Sequence, residues 1–285
     1  MRIMTYNIKT GRHHPAGLAA VAHLIETYAP DVLGLQELDE QMPRTHHVAQ
    51  TDWLTRRLRM RGIFAPAMER DGGRYGIALL SRFPIQAHEC RLLFRPNYPD
   101  ADQRPRHDNE QRVALGAMLT PTSLSTASQG RGHSLPLSNA FLDGGRVGDG
   151  GRDGGRGGSL KIIVTHLGLT PDQRERQVVE LAEFARSWQG DHPTIIMGDF
   201  NCDPDAPELA PLRKHFQEAC AVCGVQGEAR YTFPSGPLGA RDADGWRGAI
   251  DYVWATHDIH ISSAQVIIDE SKASDHQPVL VEVKV

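Results

Sequence analysis

The stretch "IIMGDFN" at residues 195–201 begins as an apolar run and ends in a carboxylate and a carboxamide. A short apolar run followed by glycine is typical of a buried strand. In extended backbone, residues i and i+2 point to the same side. We therefore expect Asp199 and Asn201 to project together from the end of a core strand, and the sequence predicts a polar site at that end.

The composition indicates a soluble protein of one large domain or two ordinary ones. The chain has 285 residues, of which 40% are hydrophobic and 23% charged, with a net charge of -4 and a pI near 6.4. This balance does not favour a strongly basic nucleic-acid binder, although it allows a local basic patch. No apolar run reaches the ~18–20 residues of a transmembrane helix. The amino-terminal residues lack the apolar region of a signal peptide, so we expect a cytoplasmic protein.

Four cysteines are spread over the chain, at Cys90, Cys202, Cys220 and Cys223. The last two have CxxC spacing, but no second pair accompanies them, and a structural zinc site would need further ligands. The favoured interpretation is a pair of reduced thiols near a helix end, with a redox role as the alternative.

Eight apolar or alternating segments predict strands. They lie at 3–8, 31–38, 75–81, 112–119, 160–167, 193–201, 248–256 and 278–285. Strands outnumber helices, which favours a mixed two-sheet core with helices outside over a strictly alternating parallel sheet.

Three segments predict helices. Residues 14–30 carry apolar side chains at helical spacing, and a helix over about 46–61 would turn Trp53, Leu54 and Leu58 inward. A third helix would begin at Thr170, since Thr170-Pro171-Asp172-Gln173 has capping-box spacing with proline at the first helical position. Its apolar stripe would comprise Val178, Leu181, Ala185 and Trp188.

The segment from about 120 to 159 differs from the rest of the chain. Eleven of the 28 glycines lie between Gly130 and Gly158, among mixed acidic and basic residues. Such a segment buries too little apolar surface to offset its ordering entropy, so it predicts a flexible insert within a single domain spanning 1–285. An RGG-like nucleic-acid tail is the alternative, which the interleaved acids disfavour.

Six of the predicted strands have acid, amide or imidazole side chains in them or beside them. These residues are Asn7, Glu37, His166, Asp199, Asn201, Asp251, Asp275 and His276. Each alone has a plain structural explanation, such as a turn cap or a hydrogen-bonded core histidine. Burying all of them without partners would cost several kcal/mol each, so we expect a shared site with a cation. Oxygen ligands without thiolates suit Mg²⁺ or Mn²⁺, and the histidines suit proton transfer.

The series "TYNI", "LQE", "TH", "GDFN", "IDY" and "SDH" occurs in this order over nearly the full length. It resembles the endonuclease/exonuclease/phosphatase superfamily of DNase I-like, metal-dependent phosphohydrolases. The resemblance implies a four-layer α/β/β/α sandwich of two mixed sheets with helices outside. It places the site at one end of the packed sheets.

The resemblance also implies how metal and phosphate are held. Glu37 would be the main Mg²⁺ ligand with Asn7 beside it, and Asp275 would join the metal region directly or through water. Asp199 and Asn201 would orient the attacking water and hold the phosphate.

Acid–base and further substrate roles follow from the same resemblance. Asp251 would pair with the ring of His276, which would act as general base or as phosphate-contacting acid. His166 would hydrogen-bond a phosphate oxygen in the transition state. Arg112 stands where many relatives carry arginine and would contact substrate, with a solvated strand-edge arginine as the alternative.

The sequence thus predicts a Mg²⁺-dependent hydrolase of a small or lipid-derived phosphate ester, with Mn²⁺ as the alternative ion. A DNA or RNA nuclease is the alternative of the same class. Apurinic-type nucleases commonly carry an acid where this chain has Lys9 and tyrosine where it has His166, which disfavours it. A non-catalytic scaffold is the other alternative, but it would normally have lost Glu37, Asp199 or His276.

The segment "RLLFRPNYP" (91–99) could form a lipid-binding hairpin, although a strand and turn packed on the core is favoured.

Overall fold

The structure, a computed structural model, describes residues 1–98, 109–121 and 158–285. The strands of these residues are β1 (Arg2–Asn7), β2 (Val32–Glu40), β3 (Arg61–Arg70), β4 (Gly73–Ser81), β5 (Ile85–Leu92), β6 (Val113–Leu119), β7 (Leu160–His166), β8 (Thr194–Asp199), β9 (Gln217–Glu218), β10 (Asp251–Ala255), β11 (His260–Val266) and β12 (Val279–Lys284). The α-helices are α1 (Leu18–Tyr28), α2 (Gln50–Leu58), α3 (Pro171–Ser187), α4 (Ala210–Arg213) and α5 (Ala219–Val222). Apart from its ends, the predicted Gly-rich insert lies outside the described residues.

The strands of these three ranges form two six-stranded mixed sheets. The first has the order β11-β12-β1-β2-β4-β3, and the second has the order β5-β6-β7-β8-β10-β9. Within each sheet one central pair is parallel, β1 with β2 and β7 with β8. The remaining neighbours pair in antiparallel fashion. This arrangement confirms the predicted α/β sandwich.

Three apolar clusters separate the layers. Between the sheets, the inner faces pack through residues such as Val32, Ile162 and Val281. Helices α1 and α2 cover the outer face of the first sheet, and α3 covers the outer face of the second through Val178 and Leu181. Each sheet is therefore buried on both faces, which explains why the central strands are nearly continuous apolar runs.

All eight predicted strands are present, but β3, β5, β9 and β11 were not predicted. All four lie at sheet edges, and β11 includes exposed polar residues. Strand β3 contains Gly62 and Pro66, and a register shift follows Pro66. Proline and glycine weaken a strand pattern and are tolerated at edges and bulges.

The helix predictions were right in position and partly wrong in detail. Helix α2 is shorter than the predicted 46–61, and Trp53 is 37% exposed rather than inward, whereas Leu54 and Leu58 are buried. Pro171 opens α3 as predicted, but the Thr170 side chain makes no capping hydrogen bond. Its hydroxyl instead lies 2.9 Å from the hydroxyl of Tyr98.

The segment after β5 lies against the core in its described part. Leu93 is buried, and its N–H donates to the carbonyl of Arg112. The next backbone N–H, of Phe94, donates to the carboxylate of Glu180 on α3 at 2.6 Å. These contacts favour the packed strand and turn over the lipid-binding hairpin. Within the described ranges, no helix has the length and apolar character needed to cross a bilayer.

Candidate active site

Three neighbouring strands of the second sheet place their polar residues side by side. In the sheet register His166 of β7 is opposite Asp199 of β8, which is opposite Asp251 of β10. The glycine before Asp199 allows this close approach, because a Cβ at Gly198 would collide with the carbonyl oxygen of Thr165, and its φ of 156° is one that other residues rarely adopt. The first sheet brings Asn7 and Glu37 to the same end from β1 and β2.

Asn7 joins the two sheets. Its Nδ2 donates to Glu37 Oε1 at 3.1 Å and to Asp199 Oδ2 at 3.0 Å. Its Oδ1 accepts the backbone N–H of Lys9 at 3.1 Å. Asn7 therefore bridges two carboxylates as a donor, and to serve as a metal ligand through Oδ1 its amide would have to turn over.

Glu37 lies in an irregular part of β2. The pairing of β2 with β4 shifts between Leu35 and Leu38, and Glu37 has a φ of 58°. A left-handed residue in a strand interrupts the side-chain alternation, which is a common device for redirecting a side chain at a functional site. The side chain is partly exposed and lines the cavity at this end of the sheets.

Asp251 and His276 form a buried pair. His276 Nδ1 donates to Asp251 Oδ2 at 2.9 Å, and both residues are at most 4% exposed. Burial alone would lower the pKa of His276, but the charges of Asp251 and Asp199 raise it to about 10. The pair fixes the tautomer and leaves Nε2 directed toward Asp199 Oδ2 at 3.7 Å.

Asp199 is shared by both histidines. Its Oδ2 lies 3.5 Å from His166 Nε2 and 3.7 Å from His276 Nε2, and its Oδ1 accepts the N–H of Asn201. Burial and the charge of Asp251 raise the pKa of Asp199 to about 7. This carboxylate therefore sits in a position where a neighbouring positive charge or a proton is favoured.

His166 has the opposite environment from His276. Arg112 Nη1 lies 3.2 Å from His166 Nδ1 and 3.4 Å from Nε2. Since a guanidinium only donates, the nearer nitrogen is the acceptor, and the ring proton then lies on Nε2, facing Asp199. Burial and the charge of Arg112 hold the pKa of His166 well below its ordinary value. Arg112 is itself buried rather than solvated at a strand edge.

Asn201 lines the same cavity as Asp199, but not for the reason expected from extended backbone. Strand β8 ends at Asp199, and Asn201 has a φ of 53°. Its side-chain amide donates to the carbonyl of Leu167 at 2.9 Å. The expectation of an extended backbone was therefore wrong, because the chain turns at this point, where the N–H of Asn201 donates to Asp199 Oδ1.

Asp275 does not line this cavity. Its carboxylate lies 3.1 Å from Lys9 Nζ. Burial would raise the pKa of Asp275, but His276 and Lys9 lower it below its ordinary value. Lys9 thus occupies the acidic neighbourhood that the sequence assigned to the metal region.

The cavity at this end has a volume of about 920 Å³. It is lined by the predicted residues Glu37, Arg112, His166, Asp199, Asn201 and His276, and by residues that the sequence did not single out, including Arg12, Arg44, Arg70, Phe233 and Trp246. The Phe233 ring lies 5.1 Å from that of His276 and 5.5 Å from that of Trp246. No pattern in the sequence marks these additional residues, since all of them lie in loops or at a strand end.

The donor set fits a hard divalent cation. Glu37 and Asp199 both accept a hydrogen bond from the one Asn7 amide, and burial together with the charge of Asp251 raises the pKa of Asp199, so a cation beside this carboxylate is favoured. Asp199, Asp251 and His276 also offer three atoms within 4.8 Å of one another. His276 Nδ1 is engaged by Asp251, however, so Glu37 with Asp199 is the more suitable oxygen pair for Mg²⁺ or Mn²⁺.

The CxxC cysteines lie away from this site. Cys220 and Cys223 are both free, as are Cys90 and Cys202. Burial raises the pKa of Cys220 to about 12, so that this thiol is not a reactive thiolate at neutral pH. This supports the interpretation as reduced structural thiols.

Comparison with known families and curated proteins gave one family match. Residues 4–276 match the sequence profile of the family described as "Endonuclease/Exonuclease/phosphatase family". A comparison with curated proteins gave no match.

Solved structures share the fold at low sequence identity. An endonuclease/exonuclease/phosphatase from Bacteroides vulgatus is 17% identical with a TM-score of 0.69, covering 100% of this chain and 98% of its own. The mannosyl-6-phosphatase Bt3783 of Bacteroides thetaiotaomicron VPI-5482 is 16% identical with a TM-score of 0.66, covering 100% of both chains. The human Nocturnin catalytic domain with bound sulfate is 20% identical with a TM-score of 0.67, covering 100% of this chain and 93% of its own.

Proposed function

The chain belongs to the endonuclease/exonuclease/phosphatase family of phosphoester hydrolases, and we propose that it is a Mg²⁺-dependent enzyme acting on a small or lipid-derived phosphate ester. The observation that carries this proposal is the meeting of Glu37, Asp199 and His276 in one cavity, with Asp251 hydrogen-bonded to His276. Mn²⁺ is the alternative ion, because it accepts the same oxygen ligands.

Glu37 and Asp199 would hold the cation, with Asn7 fixing the distance between them. The bound ion would supply charge neutralisation on the phosphoryl oxygens. Asn7 connects the two carboxylates through one amide, across sheets that the apolar core already packs together. Asp275, which does not line the cavity, and its ion-pair partner Lys9 would adjust the charge of this region.

Asp199 would also orient the attacking water. Its Oδ1 accepts the N–H of Asn201 and its Oδ2 lies between the two histidines, so this buried carboxylate is placed to accept a hydrogen bond from that water. Asn201 holds this carboxylate by its backbone N–H, leaving the side-chain oxygen of Asn201 as an acceptor toward water or substrate.

His276 would act in its protonated form. Asp251 holds Nδ1, so Nε2–H is the group that can reach a phosphoryl or leaving oxygen. A pKa raised to about 10 keeps the imidazolium charged at neutral pH, which favours the phosphate-contacting acid over the general base.

His166 would donate a hydrogen bond to a phosphoryl oxygen as a neutral imidazole. Burial and the Arg112 guanidinium keep the ring neutral, and the guanidinium orients it, so Nε2–H lies beside Asp199. Arg112 would thus support the substrate contact of His166 and add positive charge near the phosphate.

A nuclease remains the second candidate, because the family includes nucleases by name. The net charge of -4 and the pairing of Lys9 with Asp275 argue against binding a long polyanion. A scaffold without activity is the third candidate, and a buried, oriented Asp–His pair has no evident use in one.

The free state of all four cysteines is typical of proteins in reducing compartments, and we propose a cytoplasmic location on this ground.

Hydrolysis of p-nitrophenyl phosphate and bis-p-nitrophenyl phosphate tests the proposal. We expect release with Mg²⁺ or Mn²⁺ and none with EDTA. Asp199→Asn should lower kcat by roughly 10²–10⁴-fold, since it removes a charge that positions water and cation. Asp203→Asn, an exposed change four residues away, is the matched control and should retain full activity. Supercoiled plasmid DNA is the third substrate and tests the nuclease hypothesis. A nuclease would cleave the plasmid faster than it hydrolyses either ester.

If neither ester is hydrolysed, the protein is either a scaffold or an enzyme that does not accept these esters. Calorimetric titration with Mg²⁺ or Mn²⁺ distinguishes the two. The wild-type protein should bind the ion, and Glu37→Gln should weaken binding at least about 10-fold because it removes one ionised ligand. Exposed Glu69→Gln is the control. Absence of ion binding by the wild-type protein together with absence of ester hydrolysis would overturn the proposed function.

A further inference from the structure

The cavity is larger than a phosphate group requires. Its volume of about 920 Å³ is in the range of roughly 300–1,000 Å³ that is typical of pockets for whole small molecules. The residues of the proposed chemistry occupy only part of its wall. The rest of the wall therefore faces the part of the substrate beyond the scissile phosphate, and its chemistry indicates what that part is.

Three arginines line this cavity without a part in the proposed chemistry, and we call Arg12, Arg44 and Arg70 the arginine rim. They come from the first-sheet side, where Arg44 lies in the turn after β2 and Arg70 ends β3. Counting Lys9, Arg112 and the His276 imidazolium, six cationic side chains line the cavity against four acidic ones. Two of the four acids, Glu37 and Asp199, face the proposed cation, so a bound divalent ion would leave the cavity clearly positive.

Arg44 is the anchor of the rim. Its Nε and Nη2 each donate to the carboxylate of Asp39 at 2.7 Å, and the Asp39 side chain is completely buried. The guanidinium also lies 5.5 Å from the ring centroid of Tyr75. These contacts fix the guanidinium plane before any ligand arrives, which reduces the entropy lost on binding. Within the described part of the chain, Nη1 has no hydrogen-bond partner, and Arg44 lines the cavity.

Arg12 and Arg70 are less constrained. Arg12 is exposed and has no carboxylate of a described residue within ion-pair distance, while Arg70 pairs with the exposed Asp71 at 3.3 Å. Such exposed pairs contribute little energy and exchange readily for another anion. The guanidinium groups of Arg12 and Arg70 are thus free to contact an anionic ligand that is bound and oriented by Arg44.

We propose that the arginine rim binds a second anionic group of the substrate, a phosphate or a carboxylate, separate from the phosphate that is cleaved. The preferred substrates are then small phosphate esters that carry two anionic groups. This inference rests on the proposed function, because it takes the scissile phosphate to lie at Asp199 and His276. The plain alternative is that the three arginines are ordinary surface charges that serve solubility.

Two matched pairs of ligands test the proposal by calorimetry with Ca²⁺ in place of Mg²⁺. Ethyl phosphate is compared with 2-phosphoglycolate, and fructose 6-phosphate with fructose 1,6-bisphosphate. The members of each pair differ by one anionic group, and the distance between the two anionic groups is shorter in the first pair than in the second. We expect the doubly anionic member of at least one pair to bind roughly 10-fold or more tightly, as an arginine contact with a charged group would give. Equal affinities in both pairs would overturn the proposal.

Three variants test whether the arginine rim is the source of the higher affinity for the doubly anionic ligand. Arg44→Gln and Arg12→Gln should each reduce the ratio of affinities within the pair toward one while leaving the singly anionic ligand unchanged. Arg61→Gln, at the exposed opposite end of the strand that carries Arg70, is the control and should preserve the ratio. Arg12→Gln alters only an exposed side chain, so it remains informative if Arg44→Gln unfolds the protein by leaving Asp39 without its main partner. If the ratio of affinities is unchanged in both Arg44→Gln and Arg12→Gln, the assignment of the second anionic group to the rim is overturned.

The test distinguishes this inference from the proposed function. Metal-dependent release from p-nitrophenyl phosphate by the wild-type protein tests the proposed function alone, because this ester lacks a second anion. Such release together with equal affinities within both ligand pairs would overturn the rim and leave the proposed function intact. An oligothymidylate that binds more tightly than either doubly anionic ligand would overturn the assignment to a small ester, since the second anion would then be a neighbouring phosphate.

Discussion

His276 and His166 lie on opposite sides of one carboxylate and have opposite electrostatic environments. Their Nε2 atoms lie 3.7 Å and 3.5 Å from Asp199 Oδ2. Both rings are buried, and burial lowers the pKa of each, but Asp251 raises that of His276 whereas Arg112 lowers that of His166 further. The comparison shows that the charge of the residue behind each ring decides whether it is a cation or a neutral donor.

The largest expected effect tests whether the two rings are unequal in catalysis. His276→Ala should lower kcat on p-nitrophenyl phosphate by about 10³-fold, because it removes the imidazolium and leaves Asp251 buried without its partner. His166→Ala should cost about 10²-fold, since it removes one neutral hydrogen bond to the phosphate. His23→Ala, on the exposed face of α1, is the control. A loss for His166→Ala that exceeds the loss for His276→Ala would contradict the assigned roles.

The second expected effect is a pH dependence of stability that belongs to His276. Its folded pKa of about 10 lies above the ordinary value of 6.5. The proton is therefore held more tightly in the folded state, and its contribution is complete below pH 6.5 and is lost as the pH rises to about 10. The free energy of unfolding of the wild type minus that of His276→Gln, from urea titrations, should decrease across this range.

Asp251→Asn provides the control for that measurement, because it removes the charge that raises the pKa of His276 most. In that background the same difference should change much less between pH 6.5 and 10. A difference that is flat with pH in the wild type would contradict the assignment of a protonated His276.

The residues of this comparison differ in how well the sequence predicted them. The polar ends of β1, β7, β8 and β10 were predictable, because an amide, acid or imidazole interrupts a long apolar run there. The meeting of those ends required the resemblance to a family, since neither periodicity nor spacing fixes which strands are neighbours. The buried pairing of Arg112 with His166 depends on the register of β6 and β7, which the sequence does not show.

Other features were not predictable for local reasons. The left-handed backbone at Glu37 has no sequence signature, because glutamate rarely adopts it, and the asparagine at position 201, which adopts it more readily, is only a weak signal. Arg44 lies in a short turn after β2, and its role depends on the buried Asp39 that precedes it by five residues. Strand β3 was missed because Gly62 and Pro66 interrupt its pattern, so one wall of the cavity was absent from the prediction.

The smallest expected effect concerns the group behind His166. Arg112→Gln removes the neighbouring positive charge, so the pKa of His166 should rise toward its ordinary value although burial still lowers it. NMR titration of ring-labelled histidine measures this directly, and the resonance of His276 should move less because burial, Asp251, Asp199 and Asp275 are the main causes of its pKa shift. We expect kcat to fall only about 10-fold, since the ring stays in place and loses one hydrogen bond. Arg186→Gln, an exposed change on α3, is the control. An unchanged pKa of His166 in Arg112→Gln would mean that burial alone keeps this ring neutral, and the contrast between the two histidines would then rest on Asp251 only.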